Sequence, residues 1–217
     1  MKIIFKKNEV NMKKIICSML LVLMFYGCGS TSSTLLQRDP SFNTQNFLNS
    51  SITVFPPLSV TIANAKTSGY NEENVKTITT KVVKSKIESA SSNAKVKVGQ
   101  ETVPLFFRGI LLNKDDAMKF LKNIDTKYVV FIRQVLVGVK TEQQRMTQSM
   151  FNGAPLSTVV DKNTTTTNVF IDVWDRDMAK SVFSIEAEAD FQMSYIVAGL
   201  ESSISNAVDE FIKNVKK

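Results

Sequence analysis

The chain contains no histidine. That removes Ser-His-Asp and Cys-His nucleophilic chemistry and the commonest ligands of zinc and iron. Cysteine is nearly absent too, with only Cys17 and Cys28. Glycine and proline are sparse, at 8 and 5 in 217 residues, so neither a collagen-like nor a low-complexity chain is in view. A spanning stretch of roughly 20 apolar residues is missing as well. The one marked apolar run is Ile15–Tyr26, preceded by Met12-Lys13-Lys14. A positive start, a short apolar core and a small residue before the cut describe a secretory signal peptide over residues 1–27. Met12 is the better start of that signal, because MKK is a typical opening and residues 1–11 have no evident purpose.

The run ends in Phe25-Tyr26-Gly27-Cys28. This resembles the lipobox of bacterial lipoproteins, with Phe25 and Tyr26 where that motif prefers Leu and a small residue. The resemblance implies that Cys28 receives a diacylglycerol and becomes the new N-terminus, carrying palmitate-type chains. Each buried methylene contributes about 0.8 kcal/mol, and two or more chains together anchor stably. Gly29 and Ser30 follow, so the Asp that retains such proteins in the inner membrane is absent. The expected location is the periplasmic face of the outer membrane, lipid-anchored.

Loss of residues 1–27 takes five lysines and one glutamate from 27 basic and 20 acidic side chains, leaving 22 and 19. The net charge drops from +7 to +3. The pI of 9.3 is therefore partly a property of the signal, and no nucleic-acid partner is implied. With Cys17 removed and Cys28 acylated, no disulfide can form, and stability must come from a packed core.

Residues 28–50 are rich in Ser, Thr, Asn and Gln and are expected to be a flexible, lipid-anchored tether. A single periplasmic domain is expected over 51–217. Ile52–Phe55 forms a strand ended by Pro56-Pro57, and 58–70 a loop. Asn71 is an N-cap with Glu72 and Glu73 in the first turn. Val75, Ile78, Val82, Val83 and Ile87 recur at helical spacing over 71–90. Val96–Val98 and Val103–Phe107 are short strand candidates, and 114–123 a second helix. Tyr128–Gly138 reads as a central strand, apolar on both faces. Asn168–Trp174 and Ser181–Phe191 are further strands, the second alternating between apolar and acidic or polar residues. Residues 199–217 close the chain as an amphipathic helix. The order β-α-(β)-α-β-β-β-α gives an α+β fold: a single mixed β-sheet with helices packed on its faces.

Over 51–217 this order resembles the periplasmic domain shared by CsgG, the TolB N-terminal domain and the lipoprotein activators of peptidoglycan synthases. Ile52-Thr53-Val54-Phe55-Pro56 is similar to the end of the opening strand in that group. Val169–Trp174 followed by Asp175-Arg176-Asp177-Met178-Ala179-Lys180 is similar to its late hairpin, with Ala179 where the group usually has Gly. The resemblance implies an accessory role in envelope assembly or secretion, performed by binding another envelope protein or by self-association.

Several acidic groups invite chemistry. Asp172, Asp175 and Asp177 could hold calcium, but they lack the glycine and closing Glu of an EF-hand loop, and Asp commonly caps turns. Glu186, Glu188 and Asp190 could be acid–base carboxylates. Their period-2 spacing more simply marks a wet strand face, neutralised by Arg133 or Lys180 on neighbouring strands. Asp115-Asp116 starts a helix. No catalytic, metal or cofactor site is assigned, and no enzyme is expected.

Residues 140–167 are long for a loop. Asn152-Gly153 is a turn signal that would join two strands into an extended hairpin. Its tip would carry Met146, Met150, Phe151, Pro155 and Leu156. Of these, Met146, Met150, Phe151 and Leu156 are the candidate partner-binding residues. Gln143, Gln144, Thr147, Gln148 and Thr164–Thr167 break any continuous apolar face, against a membrane-crossing strand. The leading expectation is a lipid-anchored binding or assembly protein. The alternatives are a subunit of an oligomeric CsgG-like secretion channel, and a carboxylate-based enzyme acting on envelope polymers.

Overall fold

A computed structural model describes residues 29–63, 69–103, 114–149, 155–193 and 196–217. Its elements run β1 (Gly29–Arg38), α1 (Thr44–Leu48), β2 (Ser51–Phe55), β3 (Val60–Ile62), α2 (Glu72–Ala90), β4 (Lys95–Val98), α3 (Lys114–Lys122), β5 (Tyr128–Ser149), β6 (Pro155–Asp175), β7 (Lys180–Met193) and α4 (Ile196–Lys216). The strands form one seven-stranded mixed sheet in the order β1-β7-β6-β5-β2-β4, with β3 also on β5. This is the expected α+β architecture. β2 runs parallel to both β4 and β5, while β5, β6, β7 and β1 are successively antiparallel.

The strand patterns follow from which faces are covered. In β7, Phe183, Ile185, Ala187 and Ala189 are buried, and their neighbours Glu186, Glu188 and Asp190 face outward. β5 is buried on both sides. Val130 and Ile132 join the main core beneath α2 and α4. Val129 and Phe131 join a second cluster with Phe55, Val103, Leu121 and Ile124 on the opposite face. Phe55 stacks on Phe131 at 5.3 Å, and Trp174 meets Phe131 edge-on at 6.3 Å. Trp174 is thus partly buried, as its strand position predicts. Each fully buried Phe, Ile or Leu in these clusters is worth about 1.5–3 kcal/mol relative to exposure. Asn71 caps α2, its side chain accepting from the Asn74 N–H at 2.8 Å.

Three local expectations are corrected. Residues 29–50 are not a loose tether: β1 pairs with β7 from Gly29 to Arg38, and α1 follows. The reason is polar. Thr31 and Ser33 donate to Glu210 of α4, Asn214 donates to Ser33, and Ser30 donates to Asp190. Arg38 donates to the Asn214 carbonyl at 3.0 Å. Hydroxyls satisfied by carboxylates take the place of an apolar face.

Within the expected 58–70 loop, Val60–Ile62 forms β3 on β5. Pro56-Pro57 has no N–H to donate, yet the ladder resumes at once through Leu58 N–H to the Ile132 carbonyl, 2.9 Å. β5 itself carries a bulge against β6 between Ile132 and Gln134. The last helix starts at Ile196, one turn before the expected Gly199. Of the Val103–Phe107 strand candidate, Val103 is buried but outside any strand, and residues 104–107 lie outside the described residues.

Candidate functional site: the protruding ribbon and its base

β5 and β6 are 22 and 21 residues long, far beyond the usual strand of 5 or 6. Their neighbours stop early. β3 last pairs with β5 at Val137, and β7 last pairs with β6 at Asn163. From Glu142 opposite Lys162 to Ser149 opposite Pro155, the two strands pair with each other alone among the described residues. At ~3.3 Å per residue these eight pairs project ~26 Å beyond the sheet. Both outer edges therefore present backbone N–H and C=O groups with no ladder partner, the arrangement that accepts an added strand. A two-stranded ribbon is marginally stable by itself. This one is held at its root.

The root is built of buried polar groups. Thr141 donates to Asn163 at 2.8 Å, and Asn163 and Thr165 are buried. Tyr70 is buried against Thr165 and the backbone of Leu200. Burial pushes its hydroxyl pKa up, while the hydrogen bonds to those two groups act against the rise. α4 comes close enough that a Cβ on Gly199 would sit 2.9 Å from the Thr165 hydroxyl. Asn163, Thr165 and Thr167 thus belong to the fold. This corrects the expected 140–167 insertion, whose protruding part is 142–162. The sequence reading did not single out Tyr70, counted Thr165 only among the polar breaks of the ribbon face, and took Gly199 only as a helix start. A glycine inside an otherwise amphipathic helix was the available signal of close approach.

The candidate binding residues fall as follows. Met146 pairs with Thr158 and Leu156 with Gln148, two register steps apart, which puts both positions on one face of the ribbon. Met150, Phe151 and the Asn152-Gly153 turn lie outside the described residues, as does Cys28. The residue after it does not. Gly29 pairs with Phe191, Phe191 with Thr165, and Thr165 with Val139. The first residue of the sheet is thus level with the ribbon's root.

The acidic candidates are spread among structural roles. Asp175 closes the hairpin turn, accepting from the backbone N–H groups of Asp177 and Met178 at 2.9 and 3.0 Å. Asp172 accepts from the Ser184 hydroxyl and lies 3.7 Å from Arg133. Burial raises its pKa, against the lowering effect of those two neighbours. Glu186 accepts from Asn168 at 2.6 Å, and Asp190 from Thr166 at 2.6 Å. Neither carboxylate uses the expected cations, for Arg133 lies by Asp172 and Lys180 pairs with Asp39 at 2.7 Å. That pair, with help from Ser41, holds Asp39 down to about 2. No group of three acidic, Cys or His residues among the described residues is placed to hold a metal.

No protein-family model and no curated protein sequence matches the chain. Solved structures do. A PelC dodecamer from Paraburkholderia phytofirmans is similar over 87% of this chain and 97% of that one, at 11% identity and a TM-score of 0.44. Lipoprotein GNA1162 from Neisseria meningitidis is similar over 76% of this chain and 98% of that one, at 18% identity and a TM-score of 0.36. The hypothetical protein CT253 from Chlamydia trachomatis is similar over 76% and 97%, at 9% identity and a TM-score of 0.39.

Proposed function

We propose that this chain is a lipid-anchored accessory protein of the bacterial cell envelope. In this reading Cys28 holds it at the periplasmic face of the outer membrane, and it acts by protein–protein contact, without catalysis. One observation carries the binding role. The strands 142–149 and 155–162 pair only with each other among the described residues, leaving two open edges far from the core. A compact domain that maintains such a ribbon exposes it to an aggregation risk, which a partner strand removes. Of the acidic candidates, Asp175 is engaged in a turn, Asp172 in a pair with Arg133, and Glu186 and Asp190 in hydrogen bonds to Asn168 and Thr166. The accessory role agrees with the envelope lipoprotein group that the sequence resembles.

The two open edges also favour a second reading, a subunit of an oligomeric channel, since such a ribbon can join a neighbour on each side. One experiment tests both. A photo-crosslinking residue is placed at Thr147 on the ribbon or at Asp177 in the distant hairpin turn, and intact cells are irradiated. A discrete adduct from position 147 and none from 177 is expected. Adducts at multiples of the chain's own mass identify self-assembly, and any other mass identifies a different partner. No adduct at 147, or equal adducts at both positions, overturns the binding role of the ribbon.

A further inference from the structure

β1 runs antiparallel to β7, which runs antiparallel to β6, so β1 and β6 point the same way. β6 runs from the ribbon toward the turn after Asp175. The chain therefore enters β1 from the ribbon's end of the sheet. It does so without slack. Gly29 is already paired with Phe191, and a Cβ on it would meet the Asp190 carbonyl oxygen at 2.6 Å. The side chains of Ser30, Thr31 and Ser33 are bound to Asp190 and Glu210 within the next four residues. Cys28 is the next residue back along the chain.

We propose that, besides its edge contact with a protein, the ribbon meets the bilayer through a face: strands 142–149 and 155–162 lie in the lipid interface beside the acyl anchor. This rests on the reading of Cys28 as acylated. The acyl glycerol sits at the boundary of the hydrocarbon layer. The ribbon extends ~26 Å past the level at which the chain reaches that boundary. The headgroup zone on one side is only ~5–8 Å deep, taking the bilayer as ~40–45 Å thick around a ~30 Å hydrocarbon core. With the strands inclined toward the bilayer, a ribbon of that length meets lipid.

Composition decides how. A crossing strand needs about 9–11 residues with one continuous apolar face. One face here holds positions Gln144, Met146 and Gln148 opposite Val160, Thr158 and Leu156. The other holds Gln143, Arg145 and Thr147 opposite Asp161, Val159 and Ser157. Neither is continuous, and with Glu142, Arg145, Asp161 and Lys162 among the amide, hydroxyl and apolar positions the strands suit the interface rather than the hydrocarbon. The backbone edges stay open there for a protein partner.

The test uses the full lipidated chain, whose mature form has no free thiol when Cys28 is acylated. A single cysteine is introduced as Gln148→Cys or Met178→Cys and labelled with the fluorophore NBD. The protein is reconstituted into vesicles of phosphatidylethanolamine and phosphatidylglycerol. Met178 lies past the far end of β6, ~33 Å from the level of Thr165 in the opposite direction. The expected result is a several-fold rise in NBD emission at 148, quenched by doxyl-labelled lipid, with no change at 178. Vesicle-bound, acylated protein with an unquenched label at 148, or with quenching at 178, overturns the inference and leaves the anchor standing. A mass of the N-terminal peptide showing unmodified Cys28 overturns the anchor, and the inference falls with it.

Discussion

Gly199 of α4 lies directly over Thr165 of β6, so close that a Cβ would stand 2.9 Å from the Thr165 hydroxyl oxygen. Two effects oppose each other in Gly199→Ala. Helix propensity gains up to ~1 kcal/mol, while crowding a packed site costs about 1–3 kcal/mol. Thr165 is β-branched and cannot swing aside easily. The net expectation is destabilisation by ~1 kcal/mol, measured by urea unfolding. The double variant Gly199→Ala with Thr165→Ala should lose less than the sum of the two single changes. Strict additivity would show that the two residues do not collide.

Ala179 has φ of 49°, the single positive value among the described non-glycine residues. It closes the hairpin turn, its N–H donating to the Arg176 carbonyl at 3.2 Å. An L side chain there pays about 1 kcal/mol of steric strain, partly offset by the packing of its methyl on the second core. Ala179→Gly should stabilise by ~0.5 kcal/mol and raise the Tm by about 1–2 °C. A lower Tm would mean that the methyl contact outweighs the strain.

Asp172 sets a pH dependence with a definite sign. Its pKa is raised, chiefly by burial, so the folded protein holds the proton more tightly than the unfolded chain. Stability therefore falls as pH rises from 3.8 through the raised value. Asp172→Asn keeps an oxygen to accept from Ser184 and carries no charge. At neutral pH its Tm should match or exceed the wild type, with a shallower slope of Tm against pH in the acid range. A lower Tm at neutral pH would show that the Arg133 contact matters more than burial.

Deletion distinguishes ribbon from root. Joining Thr141 to Asn163 through an Asn-Gly turn should leave the far-ultraviolet spectrum of the core intact and the Tm within a few degrees. Extending the cut to remove Asn163, Thr164 and Thr165 takes out two buried residues and should cost about 2–4 kcal/mol, a typical range for losing buried, hydrogen-bonded groups. Equal Tm values for the two deletions would place the boundary elsewhere.

How much of this was legible depended on whether the stabilising partner lies nearby in sequence. The alternation in Phe183–Asp190, the two-sided apolar run from Tyr128 and the Asn71 cap are local patterns, and each folds as its pattern predicts. β1 is not local. Its hydroxyls are satisfied by Asp190 and Glu210, 160 and 179 positions away, and no sequence window around Ser30 contains them. Thr164–Thr167 misled for the same reason: it reads as a polar break in the face of the 140–167 insertion, but Thr165 and Thr167 are buried. β3 is three residues behind two prolines, too short for any periodicity to register. The ribbon's length was visible in the sequence, and its root was not.

The polar bonding of β1 has a mechanical side. A pull on the chain at Gly29 directed away from the sheet edge loads one β1–β7 pair at a time. Each pair that opens pays out ~3.3 Å of chain. The strand's ten residues hold ~33 Å in reserve. β1 is in this sense a spooled leash. In the proposed anchored form, the height of the domain above Cys28 is counted in closed ladder pairs, with Glu210 and Asn214 as the catches that keep β1 wound.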